Sequence, residues 1–93
     1  MNTQNDRIVN GKKTEFRLMF AGGLAGALAC GDAVAQDFYR GALAALEGRP
    51  PVSSYFLHQN AQACVRGGFF NEGHALGQQY LFEAIEAQSR YNG

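Results

Sequence analysis

Between Leu18 and Cys30 the chain carries no charge, and glycine stands at positions 22, 23 and 26. Written as a helix, Gly22, Gly26 and Cys30 recur four residues apart, as do Gly23, Ala27, Gly31 and Ala35, so one side is almost bare of side chains. Each glycine inside a helix costs about 1 kcal/mol relative to alanine. Propensity therefore does not hold this turn helical. Contact with another helix must, since small residues let two backbones approach closely. The stretch from Phe16 to Leu46 is the expected centre of the fold, with the remaining chain packed on it or sharing a partner with it.

The flanking residues divide the chain into helices. Thr14 is placed to cap a first helix over 15–30. Gly31 reads as a left-handed stop and Asp32 as the cap of a second, over 33–47; one long helix bent at Gly31 is the alternative. Val34, Phe38, Ala42, Ala45 and Leu46 fall on one side of the second helix. Gly48-Arg49-Pro50-Pro51 ends it, since neither proline has a backbone N–H to give. Ser53 or Ser54 opens a third helix over 54–66, which Gly67-Gly68 is expected to stop, and Asn71 a fourth over 72–89. Ahead of them, residues 1–14 form an N-terminal arm, in which Asn10-Gly11 signals a short hairpin over 7–14 or a plain loop. The expected fold is all-α, a small bundle of three to four helices, with 15–93 a single helical domain.

Ninety-three residues bury only about 60–65% of the surface that the unfolded chain exposes, which makes self-association attractive. Eight basic residues balance eight acidic ones, so no overall field draws the chain to nucleic acid or to an anionic membrane, and neither is expected as a partner. Cys30 and Cys64 lack paired spacing and sit in apolar surroundings, which predicts buried thiols and a cytoplasmic location. The competing reading takes 18–35 as a targeting or anchoring sequence of a secreted or membrane-associated protein. Arg7, Lys12, Lys13 and Arg17 precede the apolar run and Ala33-Val34-Ala35 resembles a cleavage site, but Asp6, Glu15 and the glycines weaken that pattern. The run is also shorter than the roughly 20 residues that a membrane span needs.

Residues 66–74 hold the candidate ligand site: Arg66, Gly67, Gly68, Phe69, Asn71 and His74. A glycine-rich loop feeding a helix N-terminus exposes amides suited to a phosphate or carboxylate, Arg66 adds a fork of donors, and Phe69 or Phe70 offers a ring for stacking. Neither nucleotide-binding fingerprint has this spacing, and the plainer reading is a helix–helix turn with core phenylalanines. His58 and His74 have no metal-ligand spacing and read as surface or interface residues. Ser53 and Ser54 read as caps, so no cofactor, metal or enzymatic activity is expected. The candidate interface comprises Gly22, Gly23, Gly26, Ala27, Tyr39, Arg40, Arg49 and Tyr55. The small-residue stripe would pair with a second copy, or within the chain against Gly73 and Gly77 of the fourth helix. These features suit a small non-enzymatic adaptor or inhibitor, in the style of the accessory proteins that phages and mobile elements carry. It would occupy a protein partner or sequester a small anionic ligand, and self-associate as a homodimer or higher oligomer. A nucleotide-binding module built on 66–74 is the second alternative.

Overall fold

A computed structural model describes the backbone from Thr3 to Asn92 and the side chains from Asn10 to Ala87. It is an all-α structure of four helices, α1 (Thr3–Cys30), α2 (Ala33–Leu46), α3 (Ser54–Leu57) and α4 (Ala61–Asn92). The expected bundle is therefore present, with different boundaries at both ends.

The break between α1 and α2 lies where the sequence puts it. Gly31 adopts φ 71, and the amides of Gly31 and Asp32 return to the carbonyls of Leu28 and Ala27 at 3.3 and 2.9 Å, a Schellman closure that only a left-handed residue permits cheaply. Asp32 then caps α2 by accepting from the Ala35 amide at 3.0 Å. The same closure ends α2. Gly48 sits at φ 76, and the amides of Gly48 and Arg49 reach Ala45 and Ala44 at 3.1 and 2.9 Å.

Three expectations are corrected. The 7–14 hairpin does not form, because α1 already runs from Thr3. Ile8 and Val9 are too little β-branched bulk to hold two strands, and helical pairs form instead, with Lys12 on Glu15 at 3.4 Å and the Thr14 hydroxyl donating to the Asn10 carbonyl at 2.9 Å. The third helix does not run 54–66. α3 is one turn, capped by Ser53, and Asn60 opens α4 by accepting from the Ala63 amide at 2.8 Å. Finally, Gly67-Gly68 is no stop and Asn71 no cap, since α4 passes through all three. Gly67 is buried beneath Leu57 and Val52, and Gly73 and Gly77 are pressed on α2. That packing holds helical a stretch that propensity alone would break.

α2 and α4 lie in backbone contact and run in the same direction. A Cβ on Gly41 would strike the Phe70 carbonyl, one on Gly73 the Phe38 carbonyl, and one on Gly77 the Ala42 carbonyl. Gly73 and Gly77 thus receive α2, not the α1 stripe. The connection between α2 and α4 returns along α4 in reverse. His74 Nε2 bonds the Arg49 carbonyl at 2.7 Å, Asn71 bonds both the N–H and the C=O of Val52 at 2.8 and 3.1 Å, and Leu57 covers Gly67. α1 closes the other side of α2. Its Phe20 joins Ala42 and Leu46 in the core, ringed by Phe16, Tyr39, Leu76 and Tyr80, with Phe16 and Phe20 edge-on to Tyr80 at 4.6 and 5.3 Å.

Candidate functional site

The glycine-rich segment is helical, so its amides serve the helix ladder and no phosphate-cradling loop exists at 66–74. The residues singled out there separate into three groups. Asn71 and His74 hold the 49–52 connection, and His74, expected at the surface, is buried. Gly68 and Phe69 flank a shallow groove on the outside of α4 with Cys64, Val65 and Glu72. Arg66 and Gly67 line a cleft of about 370 Å³ between α3, α4 and Asp37 of α2.

That cleft is built from charge upward. Asp37 is only 7% exposed, on the α2 side that otherwise carries Gly41, Ala44 and Ala45. A carboxylate so placed requires a partner, and Arg66 supplies it in a bidentate contact, Nε and Nη2 donating to Oδ2 and Oδ1 at 3.1 and 3.2 Å. The hydrogen bond first, and the Asp37 charge second, raise the Arg66 pKa above its ordinary value, so the guanidinium stays charged across the accessible pH range. Val52, Phe56 and Phe70 give the apolar walls, and Asn60 and Gln62 the polar rim. The wall is stiff because Asn71 grips Val52 through both backbone groups. Removing that grip in Asn71→Ala leaves two part-buried groups unpaired, and is expected to cost about 1–3 kcal/mol. Urea denaturation measures the loss, and faster exchange of the Val52 amide locates it.

The small-residue stripe of α1 divides between two sides. Gly23 lies under the Tyr39 ring and Ala27 is buried, so both are used within the chain, as is Tyr39, which also stands near Phe20 and Phe38. Gly22 and Gly26 have nothing within 4 Å of where a Cβ would stand. They lie on an outer face with Leu18, Ala21, Ala25, Leu28 and Ala29, all exposed and none charged. Leu18 is 69% exposed. Of the other interface candidates, Arg40 is exposed, Arg49 is exposed and pairs with Glu47 at 3.0 Å, and Tyr55 is 79% exposed.

Cys30 and Cys64, expected as buried thiols, are free and exposed. Among the described residues no three His, Cys, Asp or Glu side chains come together as a metal site, and no helix is long and apolar enough to cross a membrane. Comparison of the chain with protein-family models, with curated proteins and with solved structures finds no match.

Sequence reasoning missed Asp37 as a site residue, because on a helix net it is one more polar position. The signal available was its place one turn before Gly41 on the small-residue side of α2, where a solvated carboxylate has no room.

Proposed function

We propose that this chain is a small non-enzymatic binding protein that self-associates through the outer face of α1 and acts, as an adaptor or inhibitor, on a protein partner or a small ligand. The observation that carries this reading is the open pair Gly22 and Gly26 on an uncharged helix face. Elsewhere in the chain, at Gly41, Gly73 and Gly77, the bare side of a helical glycine is where a second backbone lies against it. Gly22 and Gly26 offer the same one-turn groove with no occupant among the described residues. Gly11 and Gly68 are open too, but neither is paired with a second open glycine one turn away.

Surface area supports the same conclusion. A compact 10.1 kDa protein exposes roughly 5,300 Å² by size scaling, whereas this chain exposes 5978 Å². The radius of gyration, 15.1 Å, likewise exceeds the ~12 Å expected of a compact domain this size. A second copy suits the face because an uncharged stripe of small residues can lie against its own copy across a two-fold axis without setting like charges together. Light scattering tests this. The expected mass is about twice 10.1 kDa, falling to the monomer value in Ala25→Glu, which sets two like charges against each other across the two-fold. A wild-type chain that stays at 10.1 kDa at every concentration would dismiss the reading.

A further inference from the structure

We propose that the cleft between α3 and the first turns of α4 binds a small planar ring compound whose edge carries hydrogen-bond acceptors, as a nucleobase or an aromatic carboxylate does. The inference deepens the small-ligand part of the function proposed above and does not involve the α1 face.

The polar atoms on the cleft are mostly donors. Asn60 spends its Oδ1 on the Ala63 amide, which leaves its Nδ2 hydrogens to the rim. Arg66 spends Nε–H and one Nη2 hydrogen on Asp37, which leaves the other Nη2 hydrogen and both on Nη1. Gln62 contributes an amide with both functions. Asp37, the one carboxylate lining the cleft, is buried and already accepts through both oxygens. A ligand edge of carbonyl or carboxylate oxygens and ring nitrogens satisfies these donors, whereas an ammonium group meets them with like hydrogens beside a charged guanidinium.

The remaining surface selects shape. Phe56 on α3 and Phe70 on α4 present rings, with Val52 beside them, and stacking on aromatic walls favours a flat ligand. The cleft volume of about 370 Å³ is near the lower end of the ~300–1,000 Å³ range of ligand cavities, room for one or two fused rings. Because the Val52 wall is fastened by Asn71 and the Arg49 turn by His74, little ordering remains to be done on binding.

The test is an NMR titration of the intact chain with hypoxanthine, benzoate and, as the cationic control, benzylamine, reading the side-chain signals of Asn60, Gln62 and Arg66 Nε. Hypoxanthine or benzoate is expected to move these signals to saturation with a dissociation constant of about 1 mM or tighter, and benzylamine is not. Saturation by hypoxanthine alone assigns the site to nucleobases, and by benzoate alone to aromatic carboxylates. Phe56, 51% exposed, can be truncated without opening the core, and Phe56→Ala should weaken binding about fivefold or more, fivefold being the low end of the stacking contribution of one ring. Gln62→Ala, at an exposed position on the cleft rim, is the second variant should the first fold poorly, and is expected to weaken binding as well. The proposal is overturned if neither ring moves the three signals at about 10 mM, if benzylamine binds as tightly, or if the folded variants bind as the wild type does. Intact self-association beside such a failure would sink the cleft proposal alone, and a monomeric chain that binds the ring would sink only the α1 reading.

Discussion

Gly73→Ala is expected to unfold the protein or to remove most of its stability, while Gly68→Ala, five positions earlier in the same helix, is expected to raise it. The added methyl at 73 would sit on the Phe38 carbonyl, with Phe38 Cα behind it at 3.0 Å. Both are backbone atoms of α2, so no side chain can swing aside and the two helices must part. Overpacking of a core side chain costs about 1–3 kcal/mol because rotamers adjust. Here that relief is missing, and about 4 kcal/mol or more is expected, in the range that single substitutions reach only through a named structural conflict. A domain of this length has roughly 5–14 kcal/mol in total, so the variant stands at the edge of folding. At Gly68 the same methyl meets open space and recovers up to about 1 kcal/mol of helix propensity. Urea denaturation of both variants followed by circular dichroism measures the difference. Equal effects would mean that α2 and α4 do not touch through Gly73.

Leu46→Ala is expected to cost about 3 kcal/mol. Leu46 is the largest fully buried side chain among the described residues, and most of the other buried apolar residues are alanines. Alanines cannot move into the space that a leucine vacates, and a cavity that does not collapse adds to the lost transfer energy. Leu43, one turn earlier and half-buried on the edge of the same cluster, should cost distinctly less as Leu43→Ala, because water reaches the vacated volume. A loss at 46 no larger than at 43 would show that the core is centred elsewhere.

The sequence made the helical class and the α1–α2 boundary legible because local chemistry decides both. Gly31 and Asp32 act on atoms within a few residues, as do Gly48 and the two prolines. What it concealed depends on distant partners. Gly67-Gly68 has the local signature of a stop, and only Leu57 and Val52 packed on Gly67, with Gly73 and Gly77 pressed on α2 further along, reverse that signature. Asn71 has the signature of a cap, yet its amide is committed to Val52, nineteen positions away. Asn60, which does open α4, is masked in the sequence by the stronger glycine signal downstream at Gly67-Gly68. The α1 stripe was legible as a contact surface but not in its division. Helical spacing groups Gly22 with Gly26 and Gly23 with Ala27, and which pair faces inward is decided by Tyr39 and Phe20. Of the ligand candidates, Arg66 and Gly67 line a cleft after all, whereas Asn71 and His74 build its support.

In the proposed assembly the bare side of a helical glycine is a contact surface, met within the chain at Gly41, Gly73 and Gly77 and by a second copy at Gly22 and Gly26. Urea denaturation of the wild-type chain at two protein concentrations tests this most directly, because folding coupled to pairing depends on mass action. A hundredfold rise in protein is expected to add about 2.7 kcal/mol of apparent stability per dimer and to move the midpoint upward. The double variant Gly22→Ala/Gly26→Ala should lose that dependence while its monomer gains up to about 2 kcal/mol from helix propensity. A wild-type midpoint that does not move with concentration would contradict the pairing.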